Sequence, residues 1–237
     1  VADGLFRLSR GSVAAYKKRL AGTGQEQLVR DSMYVHVYRN PKAASLDHLG
    51  WQLRQARQVP IELIDRRALK EIEPHIADDF EAAILIKQQG RASDPAGIGI
   101  ALAEKALAKG ANHIQTKVHE IHPDEGGGCQ LVTDQGVLTA KKIVLAAGVW
   151  SCQLLARFGI KLPMEAERGY HLVLRNPGIE INHSVMDADQ KYVASLMEAG
   201  VRVAGTAEFA GLEAAPNYAR ARRFADQAKK LFPQLNC

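Results

Sequence analysis

The residues able to form a metal centre or a nucleophilic site are scattered through this 237-residue sequence. His113, His119 and His122 are the nearest approach to a ligand set. On a strand, His113 and His119 share a face but lie ~20 Å apart at about 3.3 Å per residue, and His122 points the other way. They read as surface or half-buried strand histidines. Cys129, Cys152 and Cys237 have neither CxxC spacing nor histidines at zinc spacing. They read as reduced thiols of a cytosolic protein, and no metal is expected. Gly-x-Ser-x-Gly, His-Glu-x-x-His and P-loop patterns are all missing, which removes the usual support for serine hydrolase, zinc protease and P-loop nucleotide hydrolase chemistry. Gly97-Ile98-Gly99 is the nearest match to a dinucleotide turn. Leu102 stands where its third glycine belongs and the glycines fall inside a helix, so they are expected to pack against another backbone.

The most informative segment is Lys142-Ile143-Val144-Leu145-Ala146-Ala147-Gly148-Val149-Trp150-Ser151. An apolar run ending in Ala-Ala-Gly predicts a fully buried strand over Lys142–Leu145. Its C-terminal end is stripped of side chains, so a ligand or another backbone can approach. Ser151 is placed to cap the following helix. Strand ends of this kind are where α/β proteins bind ligands, and a plain packing contact is the competing reading.

Periodicity then gives the elements that must position these residues. Helices are predicted over Leu5–Ala21, Gln25–Arg30, Lys42–Gln58 and Arg67–Glu73, and strands over Met33–Tyr38 and Ala82–Ile86, with Gly90-Arg91-Ala92-Ser93 as a loop. Asp94-Pro95 starts a helix that runs to Lys109, the aspartate capping free amides and the proline sacrificing no hydrogen bond. Strands follow over Ile114–Ile121, Cys129–Thr133, Val137–Ala140 and Lys142–Leu145, then a helix over Ser151–Phe158. A second strand-rich region comprises Tyr170–Leu174, Ile181–Met186, Lys191–Met197 and Val201–Ala207, with Glu198-Ala199-Gly200 as a hairpin turn. A helix over Asn217–Leu231 closes it.

With 46% hydrophobic and 24% charged residues the chain is expected to be a soluble globular protein with ample length for a core. Its longest clean apolar run, Ile143–Val149, falls far short of the ~20 residues a membrane span requires. The net charge of +5 is a mild bias. The one dense basic stretch is Arg220, Arg222, Arg223, Lys229 and Lys230, and it lacks interleaved aromatics beyond Phe224. It reads as a solvated helix face, with contact to an anionic membrane surface as the second reading; no nucleic-acid partner is expected.

Leu145-Ala146-Ala147-Gly148-Val149-Trp150-Ser151 resembles the second flavin-contact motif of the FAD-dependent D-amino-acid oxidase/dehydrogenase superfamily, which includes glycine and sarcosine oxidases. Ser93-Asp94-Pro95 and Gly110-Ala111 are similar to that family's helix start and end, and Lys117-Val118 to the place where a valine backbone meets the adenine. Glu167-Arg168-Gly169-Tyr170-His171-Leu172 and Val203-Ala204-Gly205-Thr206-Ala207-Glu208-Phe209 resemble the bacterial D-amino-acid dehydrogenase branch. The resemblance covers nearly the whole chain and is strongest from Gly90 to Gly211.

The resemblance implies an α+β fold: a substrate domain with a mixed or antiparallel sheet and flanking helices, plus a β-meander and a buried strand of an incomplete α/β FAD-binding domain. The implied organisation is 1–89 for the helical and strand part of the substrate domain and 90–164 for part of the FAD-binding domain. Residues 165–215 then form substrate-domain strands, and 216–237 a terminal helix. The family's N-terminal Gly-x-Gly-x-x-Gly turn and its C-terminal segment, which carries the family's best-known carboxylate-clamping arginine, are not in these residues. An internal fragment is therefore expected, one that binds FAD weakly or not at all when alone.

The implied reaction removes a hydride from the α-carbon of a D-amino acid to flavin N5, leaving an imine that hydrolyses to a 2-oxo acid and ammonia. Positioning does most of this work. Val118, Ala146, Ala147, Gly148 and Trp150 are the implied FAD contacts. Tyr192 is the first choice for a substrate contact, against a tyrosine that bridges core and solvent. Arg168 is either a carboxylate clamp or the partner of Glu165 or Glu167, and the ion pair is the preferred reading. Tyr170, His171 and Glu208 are pocket candidates, with hydrogen-bonded structural roles as the alternative. The implied partners are a small amino-acid substrate and an electron acceptor such as a quinone, at a cytoplasmic location that includes the periphery of the inner membrane. A glycine or sarcosine-type amine oxidase of the same fold and a non-catalytic ligand-binding domain are the alternatives.

Overall fold

The computed structural model describes residues 1–237 apart from Glu125 and Cys237, so the thiol expected at Cys237 lies outside the described residues; Cys129 and Cys152 are free thiols. In chain order the first elements are α1 (Ala2–Ser9), α2 (Ser12–Leu20), β1 (Val29–Tyr38), α3 (Leu49–Gln55), β2 (Ile61–Asp65), α4 (Arg66–Ile72), β3 (Ala82–Ala92) and α5 (Pro95–Ala108). Then come β4 (Val118–Pro123), β5 (Cys129–Thr133), β6 (Gly136–Ala140), α6 (Ser151–Ala156) and β7 (Glu167–Leu174). The last are β8 (Ser184–Asp187), β9 (Tyr192–Met197), β10 (Gly200–Phe209), α7 (Ala219–Arg222) and α8 (Phe224–Leu231). They form two units, one of residues 1–109, 169–207 and 216–237 and one of residues 110–168 and 208–215.

The first unit is built on a sheet ordered β2-β3-β1-β8-β9-β10-β7. β1 pairs parallel with β8, whereas β2 with β3, β3 with β1, β8 with β9 and β9 with β10 are antiparallel. Period-two alternation gives the sheet two distinct faces. Val35, Val37, Ala83, Leu85, Val185, Tyr192, Ala194, Val201 and Val203 point to one face, where they pack with Leu69 of α4, Phe80, and Phe224, Ala228 and Leu231 of α8. On the other face, Ile84, Ile86 and Tyr38 of β3 and β1 are covered by Trp51 of α3. No comparable hydrophobic cluster covers that face across β8, β9, β10 and β7 among the described residues.

A buried carboxylate ties α4 to the approach of β8. Glu73 is 0% exposed and accepts from the backbone N–H of His183 at 2.6 Å and of Asn182 at 3.2 Å. Burial pushes its pKa up to about 7, against the pull of those two donors and of Arg91. A folded value above the unfolded 4.5 favours the folded state fully below pH 4.5, and that contribution is lost as pH rises to about 7. At about 1.4 kcal/mol per pH unit the window corresponds to roughly 3 kcal/mol. Melting curves should therefore show stability falling from pH 4.5 to pH 7 through this group, and Glu73→Gln should flatten the slope. An identical slope in the two proteins would refute the assignment.

Several predicted elements change in the structure. The helix over Leu5–Ala21 is two helices, because Gly11 adopts φ +77° between them. The helix over Lys42–Gln58 shrinks to α3, preceded by a turn in which Asp47 N–H donates to Ser45 Oγ at 3.1 Å. Gly90-Arg91-Ala92 is strand, not loop, since Asp31, Arg30 and Val29 of β1 pair with it. The helix over Asn217–Leu231 divides at Arg223 into α7 and α8. Asp94 caps α5 as predicted, accepting from Ala96 N–H at 3.1 Å. A Cβ on Gly97 would meet the side chains of Asp94 at 2.5 Å and Leu28 at 3.1 Å, and one on Gly99 would meet nothing within 4 Å, so neither glycine packs against another backbone.

The second unit contains the predicted meander β4-β5-β6, whose first strand begins at Val118 rather than Ile114. Glu120 of β4 pairs with Arg157 at 2.6 Å, just after α6. His119 and His122 pair with Asp134 and Glu120 at 2.5 and 2.8 Å, on the surface. The buried strand expected over Lys142–Leu145 joins no ladder, and Val144 is 90% exposed. No described strand lies beside it to take its hydrogen bonds, and an apolar run alone does not make a buried strand. Ser151 makes no capping bond, because a 3-10 turn over Gly148–Trp150 runs straight into α6.

Candidate functional site

Cross-strand register places a row of polar side chains on the uncovered face of the main sheet. Tyr34 of β1 lies opposite Ser184 of β8, and Ser195 of β9 opposite Arg202 of β10. Ser195 Oγ donates to Ser184 Oγ at 2.8 Å, which joins the two halves. On β7, Tyr170, Leu172 and Leu174 belong to the core side, so His171 faces the opposite way. The row Tyr34–Ser184–Ser195–Arg202–His171 crosses five strands, roughly 19 Å at about 4.8 Å per strand. It holds no carboxylate.

Two groups of this face are poised for a partner. Arg202 Nε is buried and has no hydrogen-bond partner. The pKa of His171 is lowered, by burial first and then by the charge of Arg202. Two residues along β1 from Tyr34, His36 sits edge-on between Tyr34 at 4.7 Å and Trp51 at 5.0 Å, with its Nε2 buried and unpartnered. Burial, helped by Arg54 and Lys191, brings the His36 pKa down to about 4, so the ring is neutral at pH 7. A cavity of about 470 Å³ opens beside it, lined by Trp51, Arg54, Met186 and Lys191 among others. The arrangement offers a guanidinium, a neutral imidazole and hydroxyls to an anionic or polar ligand, and it contains no nucleophile–base pair.

The residues singled out from sequence divide between this face and other surroundings. His171 is on the face and exposed. Tyr192 is 1% exposed on the core side, and its hydroxyl donates to the Gln227 carbonyl at 2.7 Å. Tyr170 is buried, with its hydroxyl oxygen accepting from Asn217 N–H at 2.7 Å. Arg168 donates to Glu208 at 3.4 Å and to the Ala214 carbonyl at 2.6 Å, both within the second unit. Its carboxylate partner is therefore Glu208 rather than Glu165 or Glu167, brought to it along β10. Arg202, Ser184 and Ser195 were not foreseen, although the hairpin turn sets Met197 opposite Gly200 and hence Ser195 opposite Arg202.

In the second unit, the expected cofactor contacts surround open backbone. Gly148 takes φ +56° with nothing within 4 Å of a Cβ position, and Trp150 is 58% exposed. Ala146 and Ala147 precede it without strand partners, and Val118 is half-buried at the start of β4. Two residues before Val118, Thr116 Oγ1 is buried with no hydrogen-bond partner. A buried hydroxyl without a partner can take a polar group of a ligand such as FAD, and the unpaired backbone at Ala146–Gly148 leaves room for a flat one. Val118, Ala146, Ala147, Gly148 and Trp150 are the residues that would hold it.

The model of the family described as FAD dependent oxidoreductase (DAO) matches residues 2–237. A D-amino-acid oxidase of Bradyrhizobium diazoefficiens is 34% identical over 93% of this chain and 52% of its own length. A D-amino acid dehydrogenase of Rhizobium rhizogenes is 26% identical over 97% of this chain and 56% of its own length. The chain thus spans about half the length of the curated relatives it matches. Among solved structures, glycine oxidase from Geobacillus kaustophilus matches with a TM-score of 0.78 at 21% identity, covering 95% of this chain and 64% of its own. L-proline dehydrogenase from P. horikoshii matches with a TM-score of 0.75 at 20% identity, covering 93% and 62%. These likenesses show the fold.

Proposed function

The chain belongs to the family of FAD dependent oxidoreductases, and from that membership we propose that it forms part of an enzyme that oxidatively deaminates a D-amino acid. The observation that carries the reading is the 34% identity to a D-amino-acid oxidase over 93% of the chain. When bound, FAD supplies an acceptor for the hydride from the substrate α-carbon. The protein's share is to bind and orient. Val118, Ala146, Ala147, Gly148 and Trp150 would hold the cofactor, and the absence of a side chain at Gly148 would leave its backbone open to it. His171 takes part in holding the substrate, with its imidazole inclined to the neutral form beside Arg202. Tyr192 and Tyr170 in the first unit, and Arg168 and Glu208 in the second, keep their hydrogen bonds to other parts of the chain. The imine product hydrolyses to a 2-oxo acid and ammonia without further help from the protein.

Electrons leave to an acceptor such as a quinone, which a peripheral position at the inner membrane would suit; among the described residues no helix is long and apolar enough to cross a membrane. A second reading, oxidation of glycine or sarcosine, is favoured by the fold likeness to glycine oxidase. Oxidation assays on the complete reading frame that encodes these residues separate the two. Turnover of D-amino acids with formation of 2-oxo acid is expected, and turnover of sarcosine but of no D-amino acid would overturn the first reading.

A further inference from the structure

We propose that Arg202 is a carboxylate-binding residue of the substrate site, an assignment that rests on the amino-acid oxidoreductase reading above. Two arginines, Arg168 and Arg202, lie on the strands β7 and β10. Arg168 is already paired: Glu208 and the Ala214 carbonyl take one N–H from each of its terminal nitrogens. Arg202 stands on the open face between Val201 and Val203, both fully buried on the other side, so its guanidinium is held over the sheet. There it forms no ion pair among the described residues, and its Nε is buried without a partner.

A buried guanidinium N–H left unpaired is costly, and a carboxylate is the group whose geometry matches its fork. The surroundings select for the same ligand. Ser195 is its cross-strand neighbour, and its hydroxyl is hydrogen-bonded to that of Ser184, so two hydroxyls share the face with Arg202. His171 lies on the adjacent strand, close enough to respond to the charge of Arg202. The row offers donors and one full positive charge with no acid to neutralise it. A free carboxylate therefore docks on Arg202, with Ser195 and His171 at its flanks. An amino acid can present its α-carboxylate there, or, if acidic, its side-chain carboxylate.

Two measurements test this on the complete protein. In steady-state oxidation of D-alanine, D-glutamate and D-glutamine, Arg202→Met should raise KM roughly 10- to 100-fold, the loss expected for a charge-assisted bond, with kcat changed less. Arg202→Lys should restore part of it. An effect on all three substrates places the α-carboxylate on Arg202, and one confined to D-glutamate places the side-chain carboxylate there. Independently of turnover, acetate should shift the His171 ring resonances saturably in an NMR titration and raise its pKa. Acetamide should not, and Arg202→Met should abolish the response.

Unchanged KM values in folded Arg202→Met, or a His171 response to acetate that survives the substitution, would overturn the assignment while D-amino-acid oxidation stands. If Arg202→Met fails to fold, the wild-type contrast between acetate and acetamide and the KM of Arg202→Lys decide the matter. If the protein oxidises no amino acid, the functional reading fails, and the acetate titration alone decides whether Arg202 binds carboxylates.

Discussion

Replacing Asp187 by alanine should destabilise the protein by about 3–5 kcal/mol, the range for removing one partner of a buried ion pair. Asp187 ends β8, is 0% exposed, and accepts three hydrogen bonds: from Arg39 at 2.8 Å, from Asp189 N–H at 3.0 Å and from Gln190 N–H at 2.9 Å. Two of these close the turn that delivers Lys191, at φ +59°, and Tyr192 into β9. The third anchors Arg39, which also bonds Asp79 at 2.6 Å and lies over the Phe80 ring at 4.1 Å. Alanine leaves both N–H groups and one side of a guanidinium unsatisfied at once. For a chain of this size the loss should lower the melting temperature by roughly 10 °C. Asp187→Asn keeps an acceptor for the turn and should fall between the two. A melting temperature for Asp187→Ala within about 2 °C of wild type would show that the turn is held by other contacts.

Gly205→Val should be more damaging still. Gly205 lies in β10 and is exposed, which by itself suggests tolerance. A Cβ there would nevertheless sit 2.5 Å from the Lys191 carbonyl oxygen, 2.5 Å from Tyr192 Cα and 2.7 Å from Tyr192 Cβ. Two of the three atoms are backbone of the neighbouring strand, so no rotamer change relieves the clash. The pair β9–β10 must separate, and the placement of Ser195 opposite Arg202 is lost with it. Loss of more than about 4 kcal/mol is expected, enough to leave little folded protein. Gly99→Ala is the control: its Cβ would meet open space inside α5, and a gain of roughly 0.5–1 kcal/mol is expected there. Circular dichroism melts of the two variants should therefore move in opposite directions.

Local signals carried much of this fold in the sequence. Asp94-Pro95 announced α5 through capping chemistry that needs no tertiary context, and the Glu198-Ala199-Gly200 turn announced the β9–β10 hairpin. The meander β4-β5-β6 was legible from its two turns. Elements that depend on distant partners were not. Gly90–Ala92 becomes strand only because β1 is long enough to pair with it, and Lys142–Leu145 stays outside any ladder because no described strand flanks it. The site divides in the same way. His171 could be named from a motif, but Arg202 acquires meaning only once Val201 and Val203 are seen to face the core and the register sets Ser195 beside it. Tyr192, chosen for its place before a strand, has its hydroxyl on the Gln227 carbonyl, a partner 35 residues away.

If these residues serve FAD-dependent oxidation of a D-amino acid, as proposed, anaerobic titration of the FAD-loaded complete protein with the two enantiomers of alanine will show it. Substrate is the only reductant present, so loss of the oxidised-flavin absorbance reports hydride transfer itself, free of any dependence on the electron acceptor. Bleaching by D-alanine, with none by L-alanine and one pyruvate formed per flavin reduced, is the predicted result. A flavin that binds and stays oxidised with every D-amino acid offered would contradict the account.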